Sequence, residues 1–376
     1  MSAPRYFQML VSPHVGGGAK LAMQLHAHAV GALGPVSRLL LPGGGEAERS
    51  AQLAGFPYTR YRVDRLTGRN RLGSLIENVK LFGRVPRNGA AVVHVHAPFV
   101  YGAARPFFRS ARVKTVLHVH LDFSVEQLSW ALRSPPDTVI VCADFMRAAV
   151  EAALPPGART RVEVIRNAID VQQFASADRA AAKRRLGVAE NLPLLMVIAN
   201  LAPHKGQETA IRAMASLRDL GSEARLWLVG AERSEGQGFL SKLQQLSREL
   251  RVDDRVTFAG FRTDVPQLLS AADMVLLPST SEGLPLTILE AQAARTIVLA
   301  APTAGIPEVI EHGRTGFLIG AQDAAGYAAQ IAELLRSPQL VQTVAAAAYR
   351  HVCDHHGLKN YGDRVLGEYQ RLVPVH

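Results

Sequence analysis

Short runs of aliphatic and β-branched residues recur along this chain, each followed by a longer stretch with apolar residues at helical spacing. FQMLVS precedes AKLAMQLHAHAV and DTVIVCA precedes DFMRAAVEAAL, with AVVHVHA, VKTVLHVH and RVEVIRN as further runs of strand type. Strands alternating with helices predict βαβ units and a parallel sheet. The rhythm restarts after Leu186: LPLLMVIAN precedes QETAIRAMASLRDL, ARLWLVGAE precedes FLSKLQQLSRELR, and RVTFAG precedes DVPQLLSAA, with DMVLLPS, TIVLA and GFLIG as later strands. Strand character lapses in IDVQQFASADRAAA, from Ile169 to Ala182. The pattern predicts an α/β chain of two doubly wound, Rossmann-like parallel-sheet domains, residues 1–175 and 176–376. A ligand is expected in the cleft between them, at the carboxyl ends of the strands. From about Gln339 the pattern is helical, and the last helix is free to pack back on the first domain.

Length and composition agree with this picture. A chain of 376 residues exceeds one comfortable core, and 48% apolar with 20% charged residues is an ordinary globular balance. No apolar run approaches the roughly 18 residues that cross a bilayer, and the opening MSAPRYFQMLVSPH has only a short, interrupted apolar patch. The two cysteines, Cys142 and Cys353, read as reduced structural thiols. A cytoplasmic protein without a signal peptide is the expectation.

Charge is distributed unevenly. Residues 1–175 carry 21 Lys+Arg against 11 Asp+Glu, so 21 − 11 = +10, the whole net charge of the chain; residues 176–376 carry 21 of each. Much of the excess falls between Arg60 and Arg87, where Arg60, Arg62, Arg65, Arg69, Arg71, Lys80, Arg84 and Arg87 face only Asp64 and Glu77. Such a stretch suits an anionic membrane or an anionic small substrate, and equally a solvated face. Nucleic acid is disfavoured: zinc-finger cysteine spacing is missing and aromatics, at 6%, are too sparse for a stacking platform. A peripheral position at the inner membrane face is therefore an expectation carried by the first half.

The candidate chemistry starts with PSTSEGLPLTILEAQ, Pro278 to Gln292. A buried-type strand runs into a turn, Pro285 stands where a helix tolerates proline, at its first position, and the helix start opened by Gly283 presents free N–H groups and a partial positive charge. Glu282 flanks that start and Glu290 lies more than a turn inside. A carboxylate repels phosphate but accepts two hydrogen bonds from a vicinal diol, so two glutamates around a helix start suit a ligand built as sugar, phosphate and sugar. A helix with one capping acid and one exposed acid gives the same spacing. In VIANLAPHKGQETAIRAM a strand runs into a turn with Lys205, whose ammonium can neutralise a diphosphate or simply face solvent. In SPHVGGGAKLAMQL, Gly16, Gly17 and Gly18 let the backbone approach a ligand or merely turn tightly. This is not GxGxxG and lacks the paired acid, which argues against a nicotinamide dehydrogenase. His94 and His96, and His118 and His120 with Asp122, alternate along two strands and share a face. Histidines lining a ligand site are the expectation there; a zinc site needs three or four convergent ligands.

Taken together, SPHVGGGAK, VLHVHLD, VIRNAIDVQQF, ANLAPHKGQETAIRA, RVTFAGF, AADMVLLPSTSEGLPLTILEAQA and TAGIPEVIEHGRTGFLI resemble family 4 of the retaining glycosyltransferases, also called group 1, which have the two-domain GT-B fold. The resemblance spans nearly the whole chain, densest from Leu194 to Ile319. It implies an acceptor-binding first domain and a nucleotide-sugar-binding second domain. It implies that Lys205 binds the donor diphosphate, that the amides of Gly283 and Leu284 beside Pro285 hold phosphate and sugar, and that Glu282 contacts the transferred sugar and Glu290 the ribose. His120, with His118 second, would lie near the attacking hydroxyl, and Gly17 and Gly18 would approach the diphosphate. Where the family usually has Gly-Arg this chain has Ala199-Asn200, so Asn200 replaces a cation; where it has Asn-Gly this chain has Asn167-Ala168. The catalytic set implied is His120, His118, Lys205 and Glu282.

The implied reaction is hexosyl transfer with retention from a nucleotide-diphosphate sugar, a UDP-sugar first, to a hydroxyl of a glycan, glycolipid or small molecule, in polysaccharide, glycolipid or glycoside biosynthesis. No metal is expected to be required, since Lys205 and the helix dipole supply fixed positive potential, and domain closure would gate turnover. A nucleotide-sugar epimerase or hydrolase on the same fold, or a non-catalytic nucleotide-sugar-binding protein, fits the same residues.

Overall fold

In the computed structural model the described residues are 5–33, 37–62, 73, 76, 79, 85, 91–175, 178–232 and 237–374. The chain divides into one unit of Met1–Ala168 with Leu358–His376 and a second of Ile169–Gly357.

The first unit is built on a parallel sheet of β1 (Arg5–Met9), β2 (Ser37–Pro42), β3 (Tyr58–Tyr61), β4 (Ala91–Val95), β5 (Lys114–Val119), β6 (Thr138–Val141) and β7 (Arg161–Val164). Their order is β3-β2-β1-β4-β5-β6-β7. The connecting helices are α1 (Gly17–Leu33), α2 (Glu46–Leu53), α3 (Pro98–Ala111), α4 (Val125–Leu132) and α5 (Met146–Ala153). All five residues of β4 and all four of β6 are buried, as unbroken apolar runs covered on both faces require. The order reverses between β1 and β4, where chain leaving neighbouring strands diverges and a crevice opens at the carboxyl ends. The loop after β1 is held there by α2: the Ala47 amide donates to the Pro13 carbonyl and the Val15 amide to Glu46 Oε2.

The second unit repeats the plan. Its sheet contains β8 (Leu194–Ile198), β9 (Arg225–Val229), β10 (Val256–Gly260), β11 (Met274–Leu277), β12 (Ile297–Ala300) and β13 (Phe317–Leu318), in the order β10-β9-β8-β11-β12-β13. The helices are α6 (Arg179–Arg185), α7 (Gln207–Asp219), α8 (Phe239–Glu249), α9 (Val265–Ala271), α10 (Leu286–Ala293), α11 (Ala324–Arg336) and α12 (Pro338–His355). Every described strand pairing in both sheets is parallel. Here the switch point lies between β8 and β11.

The C-terminal helix α13 (Leu358–Leu372) belongs to the first unit. Tyr361, Val365, Leu366, Tyr369 and Val373 fall at helical spacing and pack into a core with Tyr6, Leu21, Leu25, Ala29 and Val92. Tyr369 stacks on Tyr6 with ring centroids 5.1 Å apart.

Of the basic residues between Arg60 and Arg87, all but Arg60 and Arg62 lie outside the described residues; Arg60 is paired with Glu48. Cys142 is buried at the end of β6, and Cys353 is exposed on α12; both are cysteines outside any disulfide.

Candidate active site

In the second unit, the segments singled out in the sequence meet at the switch point. The turn after β8 carries Lys205, and the turn after β11 carries Glu282. Lys205 Nζ lies 2.8 Å from Glu282 Oε1, with the carboxylate 8% and the ammonium 19% exposed. The two turns are fastened to each other because the Thr280 amide donates to the His204 carbonyl at 2.9 Å. Gly206 makes that approach possible: its φ is +70°, and a Cβ there would stand 2.1 Å from the Pro278 carbonyl oxygen. The side-chain amide nitrogen of buried Gln207 donates to the Asn200 carbonyl at 2.9 Å, tying down the turn after β8.

Helix α10 begins one residue later than proline tolerance alone implies. Pro285 is the N-cap, with extended backbone (φ −66°, ψ 126°), and Leu286 opens the helix. Proline has no N–H to lose at the cap, while its carbonyl accepts from the Ile288 amide at 3.3 Å. Leu284, Leu286, Ile288 and Leu289 are buried and anchor this start, and Thr287 Oγ1 donates to the Ile198 carbonyl at the end of β8. Gly283 accepts from the Gly305 amide of the GIPEVI segment at 3.0 Å. Glu290 is 6% exposed, among buried Leu286, Ile288, Leu289 and Ala291 of the same helix. The spacing alone left room for an exposed surface acid at Glu290; burial removes that option. A buried carboxylate beside a helix start and an ion-paired lysine can accept from hydroxyls while the lysine meets an anion.

In the first unit, the register pairs His94 with Val116, which carries His96 to the position beside His118. All four histidines therefore stand on one face at the carboxyl ends of β4 and β5. Their rings form a stack: His94 to His96 at 4.3 Å, His96 to His120 at 5.3 Å and His118 to His120 at 3.9 Å between centroids, all within 22° of parallel. His96 Nδ1 and His120 Nε2 share a hydrogen bond of 3.0 Å, and His94 Nδ1 and the Tyr369 hydroxyl share one of 2.6 Å. His118 is fully buried, and neither ring nitrogen is hydrogen-bonded among the described residues. Burial holds every one of these imidazoles neutral, pushing His120 down to about 4 and His94 to about 3, with the neighbouring His120 lowering His94 further.

His94, His96 and His118 each offer a nitrogen, all within 4.8 Å of one another. Nearly parallel rings aim their lone pairs side by side, however, whereas a zinc ion needs them to converge. Gly18, in the first turn of α1, lies against His120: a Cβ there would sit 3.5 Å from the ring. Gly17 opens α1, and the Gly16 carbonyl accepts its first helical bond from the Lys20 amide. Asp122, grouped with the histidines by sequence, is exposed beyond the strand end.

The residue missed by sequence reasoning as a partner of His120 is His96. Its signal was present, because two His-x-His strands that become neighbours in register must stack on one face, but the register itself is not written locally.

Comparison with known proteins adds two family matches, one for each half. Residues 15–173 match Glycosyltransferase Family 4, and residues 178–351 match Glycosyl transferases group 1. The chain is 32% identical over 197 residues to a D-inositol 3-phosphate glycosyltransferase of Nocardia farcinica, covering 51% of this chain and 44% of that protein. It is 30% identical over 211 residues to an N-acetyl-alpha-D-glucosaminyl L-malate synthase of Bacillus anthracis, covering 56% and 53%. These alignments span about half the length of the curated relatives. Among solved structures, HepE of Anabaena in complex with UDP-glucose superposes with a TM-score of 0.86 at 23% identity, covering 98% of this chain and all of that one. A sucrose-phosphate synthase of Thermosynechococcus elongatus gives 0.81 at 19% identity, covering 98% and 99%. At such identities the likeness is one of fold.

Proposed function

The chain belongs to the family 4, group 1 glycosyltransferases, and on that footing we propose that it moves a sugar from a nucleotide-diphosphate sugar to an acceptor hydroxyl with retention at the anomeric carbon. The observation that carries the reading is the ion pair of Lys205 with buried Glu282 at the β8/β11 switch point, beside a helix start with buried Glu290 inside it. A UDP-sugar is the first donor to test, because HepE of Anabaena, which shares the fold, was solved with UDP-glucose.

In this reading the diphosphate sits at the start of α10, against the Gly283 and Leu284 amides beside Pro285, with Lys205 neutralising its charge as the glycosidic bond breaks. Glu282 orients Lys205 and accepts from hydroxyls of the transferred sugar, and Glu290 accepts from the ribose. Asn200 stands in the place of the family's arginine and leaves Lys205 as the principal cation on the leaving group. A donor phosphate oxygen takes the acceptor proton during same-face attack.

His120 is the histidine assigned to the reacting groups, since it is partly exposed, whereas His118 is fully buried and supports it from below. Gly17 and Gly18 keep the backbone beside His120 low. The first unit, with the whole positive excess, receives the acceptor: a glycan, a glycolipid or a small molecule, with an anionic membrane surface as one setting for it.

Release of UDP from UDP-glucose, measured with and without a panel of sugar and polyol acceptors, tests the proposal. Glu290→Ala and Lys205→Ala should each reduce acceptor-dependent release by about 10²–10³-fold with the circular dichroism spectrum retained; near-normal turnover in either defeats the assignment. Release independent of acceptor would point to a hydrolase, and binding without release to a carrier of nucleotide sugars.

A further inference from the structure

A second group of charges lies at the opposite, amino end of the strands in the first unit's sheet. Helix α3 carries Tyr101, Arg105, Phe108 and Arg109 at helical spacing, so their side chains share one face, and Arg112 follows at its C-cap. This face meets the amino end of β5 and the end of α4 around a hollow of about 520 Å³. Five cations line it, Arg105, Arg109, Arg112, Lys114 and Arg133, against one carboxylate, Asp137.

Cations at helix C-termini have an ordinary explanation, and α3 and α4 both end here. Each helix end is worth roughly half a negative charge, so two ends and Asp137 together leave an uncompensated charge of about +3. Asp137 is moreover already committed, to Lys114 Nζ at 2.9 Å and to the Thr115 amide at 2.9 Å. Arg105 bonds the Trp130 carbonyl and lies over the Trp130 ring. Among the described residues the Arg109 guanidinium reaches only Ser134 Oγ, at 3.4 Å. The guanidinium groups of Arg112 and Arg133 make no hydrogen bond or ion pair among the described residues, and both are exposed. Buried Tyr101 and Phe108, stacked 5.7 Å apart, supply apolar surface in the same hollow.

Forked guanidinium groups match phosphate oxygens two at a time. We propose that this hollow binds the phosphate group of a phosphate ester carried on an apolar or aromatic body. It is separate from the histidine stack: Lys114 and His118 are four residues apart on one strand, about 13 Å. The ester can be a soluble metabolite or a lipid headgroup, and half-exposed Trp130, against which Arg105 lies, suits either.

Phenyl phosphate, followed by calorimetry, and phosphatidylcholine vesicles containing phosphatidic acid, followed by co-sedimentation, distinguish the two sources. The wild-type chain is compared with Arg109→Gln/Arg112→Gln/Arg133→Gln, and with a control of equal charge change in the second unit, Arg212→Gln/Arg248→Gln/Arg251→Gln. At low salt the pocket variant should lose at least tenfold in affinity while the control does not. Loss with phenyl phosphate identifies a soluble ester; loss with vesicles alone identifies a lipid. Equal weakening in the control, or no binding of either probe by the wild type, overturns the proposal.

Discussion

Lys205 and Glu282 show how much a single contact decides. Each residue is common at a surface turn. Together, at 2.8 Å and with the carboxylate nearly buried, they become a pair in which neither charge is easily left alone. Lys205→Ala strands the carboxylate, so unfolding by urea should show a loss of about 1–3 kcal/mol. The double change Lys205→Met/Glu282→Gln should recover most of it while leaving transfer abolished. A double variant no more stable than Lys205→Ala would mean that the pair does not hold the turns. His96 carries the complementary lesson: it was visible as a histidine, and only its 3.0 Å bond to His120 makes it a determinant of that ring's tautomer and direction.

At the scale of elements, the two turns at the second switch point are joined by backbone, and Gly206 is the residue that permits it. Gly206→Ala places a methyl against the Pro278 carbonyl as well as forcing a side chain into a left-handed conformation. Gly238→Ala serves as a control, since Gly238 has φ +84° with nothing within 4 Å of its Cβ position among the described residues. Gly238→Ala should cost about 1 kcal/mol; Gly206→Ala should cost about 2–3 kcal/mol and weaken UDP binding besides. Equal costs would show that the close approach is unimportant.

The strands and helices themselves were largely legible. Unbroken runs such as VIV in β6 and VLL in β11 can only be buried strands, and QETAIRAMASLRDL repeats its apolar positions every three to four residues. Strand β2, SRLLLP, and helix α3 went unmarked, the first because its run is short and follows closely on α1, the second because the glycine and the internal proline of PFVYGAARPFFRSA disguise its period.

Across the molecule, the buried histidines make the first unit's stability depend on pH. Four imidazoles are held neutral by burial, His120 down to about 4 and His94 to about 3. In the unfolded chain they titrate near 6.5. Between those values the unfolded state binds more protons, so stability is complete above about pH 6.5 and is lost as pH falls toward 4. The urea midpoint should drop over that window, and His118→Phe, which keeps an aromatic ring in the stack and removes two unbonded nitrogens, should flatten the decline. An unchanged slope in that variant would show that His118 is protonated as readily folded as unfolded.

The amino-acid sequence by itself determined the βαβ rhythm, the two parallel sheets and the segments that carry chemistry, because periodicity, glycine and proline act over a few residues. Only the tertiary structure decided that Glu290 is buried, that Lys205 pairs with Glu282, that four histidines form one stack, and that arginines from α3 and the end of α4 surround one hollow. Those facts depend on which strands become neighbours and in what register, which is settled by packing over the whole unit rather than by any local stretch of chain.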